Sequence, residues 1–206
     1  MALLSCTIDA YEKGEGEYSR LTAEFVEAAV NSDKQVNEVE TDEGVHLAMQ
    51  TPITAKWIET ADTTYRAVLY YNMNADGKAE GVSLSRVGVL IPSSTKKLKE
   101  GMRTDPLYVE SIWLSKNRRY LNLRLRLLTG STDEEDAHHT LGLFIDSIGS
   151  SATNSNMQLY HDQGGRPEYY STVTYASIPL ARIPADTLTL TVNTYDGTLE
   201  RLIPLR

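Results

Sequence analysis

The feature that most constrains the fold is a strict alternation of leucine and polar residues over Leu121–Leu127. Successive side chains of a β-strand point to opposite faces, so the pattern predicts four leucines in a core and a polar face turned to solvent. The segment Leu188–Thr194 repeats the alternation and is followed by Asp196-Gly197, a dipeptide favoured in tight hairpins. The second half of the chain is therefore predicted to form antiparallel sheets.

Other segments of the second half are also typical of strands, because they are rich in β-branched and aromatic residues. Further strands are predicted at Tyr108–Leu114, Leu141–Ile145, Met157–His161 and Tyr169–Ser177. About seven short strands in roughly 100 residues, without a helical stretch, predict an antiparallel β-sandwich over residues 106–206.

The first half is also β-rich but less regular. A three-strand meander is predicted at Leu21–Val30, Gln35–Glu40 and Val45–Met49, and a hairpin at Ala67–Asn72 and Glu80–Ile91. Five strands are the number found in a small OB-like barrel, so residues 18–92 are predicted to form one, with a short helical turn near Ala55–Glu59. The stretch from Pro92 to Pro106 is rich in Ser, Lys and Gly, which predicts a linker over residues 93–105.

Composition excludes several classes of function. The chain has 28 acidic and 20 basic residues and a net charge of −8, which disfavours binding to nucleic acids. Its single cysteine excludes an internal disulfide framework and a cysteine-based zinc site. No apolar run approaches the roughly 18 residues of a membrane span, and no active-site signature is present. We therefore expect a protein that is not an enzyme and that holds no cofactor.

The N-terminus contains a sequence pattern typical of lipoprotein targeting. Leu3-Leu4-Ser5-Cys6 matches the lipobox pattern, in which cleavage before the cysteine is followed by its acylation. The polar residues after it suit a flexible tether, so residues 1–17 are predicted to be the remnant of a signal and a linker. On this interpretation Cys6 carries a lipid and anchors a longer native precursor in the outer membrane. The alternative is an accidental match and an idle thiol at a disordered terminus.

The second half resembles the NigD-like family of small lipoproteins. The similar features are Asp105-Pro106 before Val109–Trp113, the strand that starts at Tyr120, His139-Thr140-Leu141, Leu159-Tyr160-His161 and the strand Leu188–Tyr195. The resemblance covers roughly residues 105–205 and implies an OB-like domain followed by a β-sandwich in the cell envelope. It supplies no chemistry, because the family has no established biochemical activity.

Two patterns are candidate metal sites. His138 and His139 follow Asp136 closely, and imidazole with carboxylate is a ligand set for transition metals. Adjacent strand residues point to opposite faces, so a solvated loop is the favoured interpretation and no metal is predicted. Residues Asn72–Gly77 match the first half of a calcium loop, but Ser83 stands where an acidic ligand is needed. A hairpin turn explains the same residues.

Tyrosine is the unusual residue, with 12 copies against two each of Phe and Trp. Tyrosine suits half-buried strand faces and also recognition surfaces. A candidate ligand-binding edge is predicted around a Gly-Gly loop from four of them, namely Tyr160, Tyr169, Tyr170 and Tyr175. Arg124 and Arg126, on the polar face of the leucine strand, form a second candidate surface.

Three functions follow as hypotheses. The leading one is a module that binds or assembles with a protein partner at the cell surface or in the periplasm, because sandwiches leave strand edges that another chain can join. The alternative is a carbohydrate-binding module that uses the tyrosines. A third, a hydrolase or metal-dependent enzyme, rests only on Asp136, His138 and His139.

Overall fold

The computed structural model describes residues 21–95, 98, 101–132, 137–146, 150–151 and 153–205. Within these residues the regular structure consists of β-strands with short 3₁₀ turns, such as Leu180–Arg182, which confirms the all-β class. The strands form a closed barrel followed by two further sheets.

The barrel has five strands, as the sequence predicts. They are β1 (Thr22–Val30), β2 (Val36–Thr41), β3 (His46–Ile53), β4 (Thr63–Met73) and β5 (Ala79–Arg86). Their order around the barrel is β1-β2-β3-β5-β4, and β1 also pairs with β4 to close it. The core contains alternate residues of β1 and their neighbours, such as Val26, Ala28, Val39 and Leu69. Where a helical turn is predicted, the chain makes one hydrogen-bonded turn, from the Ile58 amide to the Ala55 carbonyl oxygen at 3.0 Å.

The second unit is a sandwich of two sheets. Its strands are β6 (Gly88–Val89), β7 (Pro92–Ser94), β8 (Tyr108–Leu114), β9 (Tyr120–Thr129), β10 (Thr140–Asp146), β11 (Asn154–Asp162), β12 (Tyr170–Pro179), β13 (Thr187–Thr194) and β14 (Gly197–Pro204). One sheet has the order β14-β13-β11-β10-β7 and the other β6-β12-β9-β8. Seven strands lie beyond residue 106, as predicted. Most pairs are antiparallel, but β11 with β13, β10 with β7 and β12 with β6 are parallel.

The chain enters the sandwich soon after the last barrel strand. Strand β6 pairs with β12 only two residues after β5 ends, and β7 pairs with β10. Between them Leu90 is buried in the sandwich core, and its amide donates to the Ser177 carbonyl oxygen at 2.9 Å. Part of the stretch with linker composition is therefore paired strand, because one buried leucine holds it against the sheet.

The leucine strand β9 lies at the centre of the sandwich core. Leu121, Leu123 and Leu125 are at most 1% exposed, as the alternation predicts. The prediction that the opposite face is exposed to solvent is wrong at Asn122. This residue is fully buried, because the barrel packs against this end of the strand. Farther along, Arg126 lies on a solvent-accessible face and is paired with a glutamate.

A buried arginine joins the barrel to the sandwich. Arg66 of β4 is 4% exposed, and its guanidinium donates to Asp42, to Ser177 of β12 and to Asn122 of β9 at 2.8–3.1 Å. It also lies 4.2 Å from the centre of the Tyr120 ring. A buried charge is costly unless it is paired and hydrogen-bonded. Here Asp42 supplies the opposite charge, and Ser177 and Asn122 accept further hydrogen bonds.

Aromatic and charged contacts surround this arginine. Phe25 of the barrel meets Trp113 of β8 and Tyr175 of β12 edge to face, each at 5.3 Å between ring centres. The Tyr120 hydroxyl donates to Glu27 at 2.5 Å, and burial raises the pKa of Tyr120 to about 12. Together with the Arg66 contacts these residues form a seam of polar and aromatic contacts between the two units.

Candidate functional site

The two sheets of the sandwich are open to solvent along one side. There the edge strands β8 and β14 face each other across a groove of about 390 Å³. Apolar side chains that also pack against the sandwich core line it, namely Val109, Ile112, Leu114, Leu199 and Ile203. On the opposite side the edges are β6 and β7, which are only two and three residues long. Among the described residues, β8 and β14 are edge strands that are unpaired on their outer side along their whole length, whereas on the opposite side β6 pairs with β12 only at Ala176 and Ser177.

One end of the groove is closed. The Tyr108 and Tyr195 rings stack there at 4.8 Å, and the Leu107 amide donates to the Asn193 carbonyl oxygen at 3.3 Å. The Tyr195 hydroxyl donates to Glu168, and burial together with this contact raises the pKa of Tyr195. Strands β8 and β14 both begin at this closed end and run away from it in the same direction.

Strand β8 is a poor template for an added strand. Its pairing with β9 shifts register between Val109 and Ser111, and such a bulge at a sheet edge hinders pairing with another chain. At the bulge Glu110 accepts ion pairs from Arg124 at 2.9 Å and Arg126 at 3.1 Å. The two arginines that were a second candidate surface are thus committed to Glu110.

Strand β14 is the regular edge beside the groove, because it pairs with β13 in continuous register from Gly197 to Pro204. The Asn193 carbonyl oxygen points away from β14, since it accepts from Leu107. Hydrogen-bonded and non-hydrogen-bonded pairs alternate along an antiparallel ladder. The backbone groups of Thr198, Glu200 and Leu202 therefore face the free edge. Pro204 is the next outward-facing position, and it has no N–H with which to donate a hydrogen bond.

The four candidate tyrosines do not share one surface. Tyr175 packs against Phe25 in the seam, and Tyr160 lies in the other sheet, where it meets Phe144 edge to face at 5.6 Å. Tyr170 begins β12 on the opposite face from Tyr175, because their positions differ by an odd number. Tyr169 and Tyr170 are 81% and 56% exposed. That these residues bind a ligand stays a prediction.

In the structure His139 contacts His161, a pairing that the sequence does not predict. The Nδ1 of His161 lies 2.9 Å from the Asp105 carbonyl oxygen, and its Nε2 lies 3.0 Å from Nδ1 of His139. A carbonyl oxygen only accepts, so His161 donates through Nδ1 and accepts from His139 through Nε2. Burial and the neighbouring His161 lower the pKa of His139.

This histidine pair is hydrogen-bonded, which argues against an ion between its nitrogens. The rings are nearly parallel, at 15°, as expected for a bond directed along both ring planes. A zinc ion needs about 2.0–2.1 Å to each nitrogen, so an ion between facing nitrogens needs more than 3.0 Å. His138 is exposed, and Asp136 lies outside the described residues. Among the residues that the structure describes, no three His, Cys, Asp or Glu side chains are grouped to hold a metal.

The calcium-like segment forms a hairpin turn. The side-chain oxygen of Asn74 accepts from the Asp76 amide at 3.0 Å and from the Lys78 amide at 2.8 Å. Gly77 has a φ of 72°, the left-handed conformation that this position of the turn requires. The turn itself thus occupies the oxygen that a calcium ion would need.

Cys6 lies outside the described residues, so its lipidation stays a prediction. The described part of the chain contains no helix that is long and apolar enough to cross a membrane.

Comparison with protein families identifies the second unit. The model of the NigD-like C-terminal β-sandwich domain matches residues 90–203, more than half of the chain. The chain belongs to the NigD-like family. The family match starts at residue 90, between β6 and β7, where the chain enters the sandwich. A comparison with curated proteins finds no match.

Solved structures of similar fold include two from Bacteroides species. A NigD-like immunity protein from Bacteroides caccae is 26% identical, with a TM-score of 0.69 over 87% of this chain and 91% of that one. A "Putative lipoprotein" from Bacteroides fragilis is 14% identical, with a TM-score of 0.64 over 90% of this chain and 98% of that one. Both likenesses include the barrel as well as the sandwich.

The groove residues of this NigD-like chain were not singled out from sequence. Leu199, Arg201 and Ile203 follow the Asp196-Gly197 turn with the alternation of a strand, so the strand itself could be found. Its position at a sheet edge could not, because strand order depends on pairings between distant segments.

Proposed function

We propose that this protein is a non-enzymatic lipoprotein of the cell envelope that binds a protein partner through the free edge of β14. The observation that carries the proposal is the long, regular edge of β14 beside an apolar groove. Strand addition uses such an edge, with main-chain hydrogen bonds for affinity and pockets for alternate side chains.

Two further observations support the location. The Leu3-Leu4-Ser5-Cys6 pattern fits lipidation at Cys6, and the similar structure from Bacteroides fragilis is described as a lipoprotein. Replacing Cys6→Ser in the full native precursor should move the protein from the membrane fraction to the soluble fraction. Retention of the variant in the membrane would contradict anchoring at Cys6.

Two substitutions at Leu202 test strand addition. Leu202 is 69% exposed and its N–H faces the free edge, so Leu202→Pro removes an outward donor and spares the ladder with β13. Leu202→Ala shortens the same side chain and keeps the donor. A photo-crosslinker at Thr198 should capture a reproducible partner in the envelope with wild type and Leu202→Ala, but not with Leu202→Pro.

Equal capture by both variants would show that β14 does not pair with the partner. Circular dichroism and a thermal unfolding curve for each variant establish that the sandwich is folded in both.

A second candidate function rests on Tyr169 and Tyr170. The two residues are adjacent in sequence at the start of β12 and both side chains are exposed, and exposed aromatic rings can stack on sugars. A carbohydrate-binding module would use these two rings, without Tyr175 or Tyr160.

A further inference from the structure

The side chains of β14 restrict which partner strand fits its free edge. On this strand Leu199, Arg201 and Ile203 lie opposite Val192, Leu190 and Leu188 of β13, so all three are on the core-facing side. Leu199 and Ile203 are half-buried, whereas Arg201 between them is exposed and lines the groove. Glu200 and Leu202 point to the outer face of the same sheet.

The two charged residues of β14 have no ion-pair partner among the described residues. In the part of the chain that the structure describes, neither Glu200 nor Arg201 makes an ion pair, whereas Glu110 across the groove already binds two arginines. A charge on the core-facing side of an edge strand is also a common protection against unwanted pairing.

A second copy of the chain is a poor occupant. In a twofold-symmetric antiparallel pair, opposite residues share a face, so one residue of β14 lies opposite its own copy. Long registers centre on Glu200 or Arg201 and place like charges directly opposite each other, which is destabilising. Registers centred on Leu199 or Leu202 avoid this but leave only a short overlap.

We infer, resting on the proposed function, that the occupant of this groove is an extended segment of another protein with an acidic residue flanked two positions away on each side by apolar residues. The acidic side chain lies opposite Arg201, and the apolar ones lie opposite Leu199 and Ile203. There they reach Val109 and Ile112 on the far wall of the groove.

Glu200 adds a fourth requirement. Its opposite residue on the outer face should be basic, because opposite charges across a strand pair stabilise it. In an antiparallel complex the partner then reads apolar, any residue, acidic, basic, apolar. A parallel complex would reverse this order, but the acidic residue would still be central and the apolar residues would still lie two positions away on each side.

Two blocked peptides test the inference, acetyl-TVTEKVT-amide and acetyl-TVTKEVT-amide, which differ only in the order of the two charges. The protein counterpart is the double variant Glu200→Lys with Arg201→Glu, which keeps net charge and every backbone donor. Binding is followed by NMR, through the amide shifts of Thr198, Glu200 and Leu202, which face outward, with Leu199 as the inward-facing control.

Wild type should bind the EK peptide about tenfold more tightly than the KE peptide, and the double variant should reverse the preference. Equal affinity for both peptides, or no shift at the outward amides, would overturn the inferred charge pattern. Such a failure leaves the Leu202→Pro and Leu202→Ala comparison intact. The loss of that comparison would instead remove the proposed function.

Discussion

The seam and the free edge of the sandwich use their polar groups in opposite ways: the seam lies on the four-stranded sheet, whereas β14 is the edge of the five-stranded sheet. In the seam, Arg66 and Asn122 are buried and each polar group meets a partner in the other unit. On the open side, Glu200 and Arg201 are exposed, and the backbone of β14 has no neighbouring strand. The polar groups of the seam hold the two units together, whereas those of β14 remain accessible to the partner proposed above.

The largest expected effect comes from the same substitution in both regions. Arg66→Leu leaves the carboxylate of Asp42 and the polar groups of Asn122 and Ser177 without their buried partner. Such a loss should cost about 3–5 kcal/mol of unfolding free energy. Arg201→Leu should change it by less than about 0.5 kcal/mol, because exposed positions tolerate change.

Denaturant unfolding followed by tryptophan fluorescence measures both variants. Similar midpoints for Arg66→Leu and Arg201→Leu would show that the buried network contributes no more than an exposed charge.

The second effect concerns the leucines of the two regions. Leu123→Ala should cost about 2–5 kcal/mol, because Leu123 is 1% exposed in the centre of the core. Leu199→Ala on the groove floor should cost about 1 kcal/mol, since less of its surface is removed from water. Arg124→Ala on the outer face of β9 should cost less than about 1 kcal/mol, because its ion pair is half-exposed.

The same unfolding experiment orders these three variants. An Arg124→Ala cost equal to that of Leu123→Ala would contradict the alternation of faces along β9.

These regions also differ in how far sequence predicts them. The alternation in β9 and β13 predicts their buried leucines, because period-two patterning is local. The burial of Asn122 depends on Arg66, 56 residues earlier in the chain, and nothing near either residue marks the contact. The edge status of β14 likewise depends on strand order. The tyrosine hypothesis shows the same limit, since four nearby tyrosines diverge onto different faces.

The third effect is a pH dependence that arises away from both regions. The pKa of His139 is lowered in the folded state, so below about pH 6.5 the unfolded chain binds a proton that the native chain does not. Stability should therefore fall as pH decreases from about 6.5 towards the folded pKa. His139→Asn should reduce this slope, and His46→Asn, at an exposed position on β3, should preserve it.

Thermal midpoints measured between pH 7.5 and pH 5, at constant ionic strength, give the slope of stability against pH over about the range in which a free histidine titrates. An unchanged slope in His139→Asn would assign the pH dependence to other groups.

The smallest stability effect is expected at Tyr169, and it decides between the two candidate functions. Tyr169 is 81% exposed, so Tyr169→Ala should shift the free energy of unfolding by less than about 0.5 kcal/mol. A thermal-shift screen against glycans then separates the open side from the tyrosines, because ligand binding raises the midpoint of the folded state. If a glycan stabilises wild type and Leu202→Pro but not Tyr169→Ala, recognition belongs to the tyrosine pair. If no glycan stabilises any variant while Leu202→Pro loses the envelope partner, recognition belongs to β14.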